Sequence, residues 1–314
     1  MLCSMCKRLG WIILGIVGVG AILTGLTALL ATPAQRAAGF ARIDTAWTNA
    51  WPFSRGAHIP KRFLPLLGRL GLVRPVRVQV EPKVSLVLDP LDWTAKEILM
   101  TGTYEPGTWR IIEEHLPRGG AFIDVGAHIG YYSLKAARQV GESGRVIAIE
   151  PNPLTVEQLR ENVRASGASE VAVQEIACSD RESVLELFAS PRNFTGKSSL
   201  SRANAAGWPA VGTPVPYRVR ARPLDAVSAE MNLKRVDVIK VDVEGAELLV
   251  LKGARETLAR FRPVLVVEII DSQLKQMGTS AAELAQFLTG AGYAPGRAAE
   301  QNREWLPPGK APAL

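Results

Sequence analysis

The apolar positions of this chain fall into three regimes. From Trp11 to Ala31 they are nearly continuous, 21 residues without a charge, which matches the ~20 residues a helix needs to cross a bilayer. From Val76 to Pro90, VRVQVEPKVSLVLDP alternates apolar and polar residues as a hairpin does. Beyond that, short apolar runs beginning near Ala121, Arg145, Glu170, Val236 and Pro263 read as buried strands. They alternate with helix-period segments from Thr94, from Gly107 to Leu116, from Tyr131, and from Leu154 to Ala165. Strands alternating with helices imply an α/β fold with a doubly wound, mainly parallel sheet covered on both faces. Two further strands, Ser183 to Ala189 and Val215 to Ala221, flank the polar loop NFTGKSSL (Asn193 to Leu200), and irregular segments of that length usually carry function.

The chemistry begins at FIDVGAHIGYYSL, Phe122 to Leu134. Asp124 stands two residues before Gly126, and Gly126 and Gly130 permit a tight turn between a strand and a helix. A dinucleotide site wants a second glycine where this chain has His128, because backbone must there lie against a pyrophosphate. S-adenosylmethionine (SAM) carries no phosphate and is cationic at its amino group and sulfonium, so a carboxylate such as Asp124 favours it and repels a pyrophosphate. The next strand ends at Glu150, 24 positions after Gly126, where one carboxylate can grip a ribose diol. The alternative is that Asp124 and Glu150 only cap helices.

A second motif is VDVIKVDVEGAELLVLKGARETL, Val236 to Leu258, a strand ending at Asp242 followed by a helix with Leu248, Leu251 and Leu258 on one side. Together with DVGAHIGYYSL, IEPNP, ACSD (Ala177 to Asp180) and RPVLVVEI, it resembles the FkbM-type methyltransferases, from about Asp89 to about Tyr293. KVDVEGAE, Lys240 to Glu247, is the most specific piece, and His128 departs from the Asn more usual there. The resemblance implies a seven-stranded Rossmann-like fold and SAM-dependent methyl transfer to hydroxyl groups.

It also assigns residues. Tyr104 and Glu105, in GTYEPGT, are expected at the methionine end of SAM, and Ser198 and Ser199 match a serine-rich loop near the acceptor. From the expected fold, Asp242 and Glu244 follow the fourth strand as base or acceptor-binding groups, with Asp242 also counted as a cofactor contact. Glu268 ends the fifth strand as an acceptor contact, and Ser179 and Asp180 follow the third near the adenine. Glu247 is equally a helix cap. Asp124, Gly126, His128, Gly130 and Glu150 complete the expected cofactor set. No metal is demanded, although Mg²⁺ needs few carboxylates. His58 and His115 read as ordinary surface or packing residues.

Length and charge set the frame. The 314 residues, 47% apolar, suit one catalytic domain, taken as 76–314, behind an anchor over 1–34 and a basic linker over 35–75 in which Lys61 to Val73 forms an interfacial helix. Lys7, Arg8 and Thr32-Pro33-Ala34 leave a cleaved signal peptide as the alternative to the anchor. The net charge of +7 belongs to the front: residues 1–90 hold 11 Lys and Arg against 3 Asp and Glu, and the remainder 26 against 27. A catalytic part with net −1 offers nucleic acid little attraction. The expected acceptor is therefore a hydroxylated small molecule, glycan or lipid-linked glycan. The flanking charges do not decide orientation; cytosolic SAM places the domain on the cytoplasmic side. Cys3, Cys6 and Cys178 show no pairing or metal spacing. The rival readings are an NAD-dependent oxidoreductase, disfavoured by His128, and a non-catalytic SAM-binding membrane protein, disfavoured by acids at three strand tips.

Overall fold

The computed structural model describes residues 32–50, 74–190, 196–206 and 213–309. The apolar run Trp11 to Ala31 and the segment Lys61 to Val73 lie outside the described residues. Among the described residues no helix is long and apolar enough to cross a membrane.

Part of the expected linker is a helix, α1 (Pro33–Ala50). It buries Ala37, Phe40 and Ala41, an i, i+3, i+4 stripe of mostly small residues whose weak apolar signal reads as linker in sequence. The hairpin β1 (Val76–Glu81) and β2 (Val84–Leu88) forms as expected. Two helices follow, α2 (Trp93–Thr101) and α3 (Pro106–His115), and then the alternating core: β3 (Ala121–Val125), α4 (Tyr131–Val140), β4 (Arg145–Ile149), α5 (Pro153–Ser166) and β5 (Val171–Gln174). After β6 (Ala177–Cys178), β7 (Ser183–Ala189), α6 (Arg202–Ala205), β8 (Val215–Arg222) and α7 (Leu224–Glu230), the chain returns through β9 (Val238–Val241), α8 (Glu247–Lys252), α9 (Arg255–Phe261) and β10 (Val264–Glu268). It closes with α10 (Asp271–Gln276), α11 (Ala281–Gly290), β11 (Ala294–Ala299) and β12 (Asn302–Leu306).

The main sheet has seven strands in the order β11-β12-β10-β9-β3-β4-β5, of which β3, β4, β5, β9 and β10 run parallel. Strand alternation sorts the core into two layers. Phe122, Val146, Val238 and Val266 pack under α2, α3 and α4, while Ile123, Ile147, Ile239 and Leu265 pack under α7, α8, α9 and α11. The chain runs outward from β3 through β4 to β5, then returns to β9 on the other side of β3 and continues outward to β10, so the strand order reverses between β3 and β9. Open α/β sheets bind ligands outside the carboxyl ends of strands at such a reversal.

Two expectations change. The single helix after Asp242 is two, α8 and α9, broken at Gly253, where an added Cβ would lie 2.0 Å from the carbonyl oxygen of Ser179. The third strand, expected to run through Cys178, leaves the main sheet at Gln174, and Ala177–Cys178 pairs instead with β8 in a three-stranded sheet, β6-β8-β7. Both stretches have β-type composition, so the change of sheet leaves no mark in the sequence.

Candidate active site

A cleft of about 790 Å³ opens at the carboxyl ends of β3, β4, β9 and β10. Tyr104, Glu105, Gly126, His128, Glu150, Ser198, Ser199, Asp242, Glu244 and Glu268 all line it. Four expected residues do not. Asp124 lies beneath the floor, 1% exposed, because on β3 it shares the inward face with Phe122. Gly130 starts α4 and abuts Leu159. Ser179 and Asp180 line a separate, smaller pocket with Leu185, Phe188 and Met277, since the chain has already left the main sheet. In their place Ile176, Ala177 and Cys178 face the cleft.

Glu150 is the best-defined anion-type acceptor. Its Oε2 accepts from His128 N–H and its Oε1 from Asn152 N–H, each at 2.9 Å, leaving each oxygen a lone pair for a further donor. Burial pushes its carboxyl up to about 7, partly offset by those two N–H groups. His128 holds the turn in left-handed backbone, φ 50°, and burial lowers its imidazole pKa.

The floor is built by register. Asp124 on β3 and Lys240 on β9 are paired positions, and parity puts Lys240 on the same face. The 1%-exposed Lys240 bonds Asp242 Oδ2 at 2.7 Å and lies 4.8 Å from the Tyr132 ring centroid, a cation–π contact. Burial opposes its charge, but Asp242, Asp124 and Glu105 hold its pKa above the ordinary value. For Asp242, burial raises the pKa and Lys240, then Lys197, more than offset this, keeping it below the usual carboxylate range. Its side chain is 21% exposed, toward the cleft. Glu268 beside it is pushed well up, by burial first and then by Asp242 and Glu244; its Oε2 is buried without a hydrogen-bond partner.

Glu244, expected as a base or acceptor-binding group, has both carboxylate oxygens engaged. Its Oε1 accepts from Lys197 Nζ at 2.6 Å and its Oε2 from Gln273 Nε2 at 2.5 Å. Its carbonyl accepts from Ser199 Oγ and Asn204 Nδ2. Burial raises its carboxyl to about 7 against the pull of Lys197. Glu244 is thus the post to which the 196–204 segment is tied. Ser198 accepts from Asn152 Nδ2 at 3.1 Å, so both serines help hold this segment. Glu247 is the first residue of α8 and caps no helical amide; its Oε1 accepts from Val243 and Gly245 N–H and so braces the turn before the helix. Lys240, Lys197, Gln273 and Tyr132 escape the sequence reading. For Lys240 there is a signal, a lone cation inside the apolar strand VIKV; the others depend on long-range packing.

Asp242, Glu244 and Glu268 each offer an oxygen within 4.8 Å of the others, close enough to share a cation, although Lys240 and Lys197 already neutralise two of them. The residues present fit SAM. Asp242 gives the inner wall a negative charge suited to a cationic methionine end, Glu105 stands beside it, the orphaned Glu268 Oε2 lacks a donor, and Glu150 stands ready for a diol.

Comparison with known proteins places the chain among methyltransferases. The chain is 25% identical over 257 residues to Methyltransferase 1 of Beauveria bassiana, covering 78% of this chain and 95% of that protein. It is 26% identical over 159 residues to the 2-O-methyltransferase NoeI of Sinorhizobium fredii, covering 48% of this chain and 64% of that one. Among solved structures, a methyltransferase FkbM from Methylobacillus flagellatus aligns with TM-score 0.41 and 16% identity, over 84% of this chain and 76% of that one. The methyltransferase FkbM domain model matches residues 124–295, more than half of the chain, and the protein therefore belongs to the FkbM methyltransferases, a membership that implies use of SAM as methyl donor.

Proposed function

We propose that this methyltransferase acts on a hydroxyl group of a neutral glycan, glycolipid or similar small molecule. The observation that carries the reading is Asp242: a carboxylate open to the cleft, held ionised by Lys240 at 2.7 Å, at the point where the strand order reverses. Bound in the cleft, SAM would supply an electrophilic methyl group and depart as the neutral thioether left when its methyl–sulfur bond breaks. Glu150 takes the ribose hydroxyls, and Tyr104, Glu105 and Glu268 face the cationic methionine end. Asp242 receives the proton of the acceptor hydroxyl at a carboxylate oxygen as the ether forms. General-base help of this kind supplies about 10²- to 10⁴-fold; alignment of acceptor and donor supplies much of the rest.

Glu244, Lys197 and the serines hold the acceptor side of the cleft. The net charge of −1 over residues 91–314 disfavours a polyphosphorylated acceptor or nucleic acid. The 2-O-methyltransferase NoeI among the relatives supports oxygen as the acceptor atom. The uncharged Trp11 to Ala31 run supports a membrane anchor that keeps the domain beside a lipid-linked acceptor on the cytoplasmic side, raising local concentration without new contacts. The test is incubation of the full chain and labelled SAM with fractionated lipids, glycans and small metabolites, followed by mass spectrometry of the product. An ether methyl in the glycan or lipid fraction supports the reading; label only on nitrogen, carbon or nucleic acid overturns it.

A further inference from the structure

The two segments that flank residues 124–295 meet at the cleft. One is the Tyr104–Glu105 turn ahead of α3; the other is the turn between β11 and β12. Glu105 occupies the N-cap position of α3 in left-handed backbone, φ 41°, and its side chain makes no capping bond. The cap comes instead from Glu300, nearly two hundred residues away. Gly107 N–H donates to Glu300 Oε1 at 2.9 Å, and Thr108 N–H and Thr108 Oγ1 both donate to Oε2 at 2.8 Å. A carboxylate taking three donors at a helix start gains both charge-assisted hydrogen bonds and the helix dipole. Asn302 in the same hairpin donates to Glu105 Oε2 at 3.3 Å, the oxygen that also accepts from Tyr132 OH at 2.8 Å.

A left-handed glutamate is an unfavourable conformation that persists only where its surroundings hold it. Here the far side of that hold is the C-terminal hairpin, through Glu300 on the backbone of α3 and Asn302 on the Glu105 side chain. We propose that Glu300 is a positioning residue for the cofactor: by capping α3 from the β11–β12 turn it fixes Glu105 and Tyr104 on the cleft wall where the methionine end of SAM binds. The inference rests on the reading of this cleft as the SAM site with Glu105 as a contact. It joins cofactor affinity to a hairpin whose tip and second strand lie beyond the matched family domain.

The test is calorimetric titration of the full chain with SAM for the wild type, Glu300→Gln, Thr108→Val, Glu105→Gln and the double variant, with hydrogen exchange of the Gly107 and Thr108 amides. Glu300→Gln should weaken SAM by about 5- to 10-fold, in the range of a few hydrogen bonds. It should also speed exchange at both amides and leave the KM of the acceptor unchanged. Thr108→Val keeps the amide donor and loses only the hydroxyl bond, so it should weaken SAM by about 2-fold and serves if Glu300→Gln folds poorly. With Glu105 already changed, adding Glu300→Gln should have less than its full effect, because part of its action runs through Glu105. Faster amide exchange with unchanged SAM affinity in Glu300→Gln and Thr108→Val overturns the proposal, as do fully multiplicative effects. Unchanged affinity in Glu105→Gln, or no SAM binding by the wild type, overturns the underlying reading of the cleft instead.

Discussion

An ideal Cβ placed on Gly126 would lie 1.8 Å from the carbonyl oxygen of Asp242. The glycine that opens the cofactor turn is required by the neighbouring strand as much as by any ligand: β3 and β9 run side by side across the strand-order reversal, and Asp242 reaches the cleft because nothing stands between them. Gly126 also has φ 87°, a region costly for any other residue. Gly126→Ala should therefore destabilise the fold by about 2–4 kcal/mol, at the upper end for a point change, and thermal unfolding should show it. A melting temperature within a degree of the wild type would mean that the two strands are not in contact at this point.

Glu150 gives a prediction whose sign depends on pH. Its folded-state pKa of about 7 lies above the ordinary value because burial penalises the ionised form. That penalty is absent below the unfolded pKa near 4.5 and grows as pH rises to about 7, so this group lowers the stability of the ligand-free protein across that window. Accepting two ribose hydroxyls, by contrast, needs the carboxylate. SAM should bind more tightly at pH 8 than at pH 6, and Glu150→Gln should remove this group's share of the dependence. Glu150→Ala should weaken SAM by about 1.5–3 kcal/mol at pH 8. Calorimetry across that pH range checks both.

The parts of this site legible in the sequence are those set by local period. The strand read to Glu150, the strand read to Asp242, and the β1–β2 hairpin each follow from residues within about fifteen positions of one another. Asp124 shows the limit: its place two residues before Gly126 is local, but whether it faces the cleft or the core depends on which face of β3 the helices cover. Lys240 opposite Asp124, Lys197 on Glu244 and Glu300 on α3 are pairings between distant segments, and no spacing encodes them. Ser179 and Asp180 fall outside the cleft for the same reason, since the sheet that takes Cys178 is chosen by its partner β8.

Asp242 and Glu244 separate by their surroundings. Asp242 is ionised and faces the cleft, whereas both carboxylate oxygens of Glu244 are already taken by Lys197 and Gln273. Asp242→Asn should lower kcat by about 10²- to 10⁴-fold if it carries the proton. Glu244→Gln should act chiefly through a higher KM for the acceptor, as the 196–204 segment loosens. Steady-state kinetics on both variants decide it; equal losses of kcat would make Glu244 a second proton carrier.

Lys240 should prove indispensable without touching the acceptor. It is the one cation within hydrogen-bonding reach of Asp242 among the described residues, and Asp124 and Glu105 lie close enough to raise its pKa. Lys240→Met leaves buried carboxylates without their counter-charge, a change that typically costs about 3–5 kcal/mol. The remaining energy is recovered only by protonating them, so Asp242 should take up a proton at higher pH than in the wild type. Two readouts follow: a lower melting temperature, with the loss greater at pH 8 than at pH 5, and an acid limb of the kcat profile displaced to higher pH. Protonation of the cluster explains both at once. A variant that lost stability equally at both pH values, with an unshifted kcat profile, would show that Lys240 fills space beneath Tyr132 and does not set the charge of Asp242.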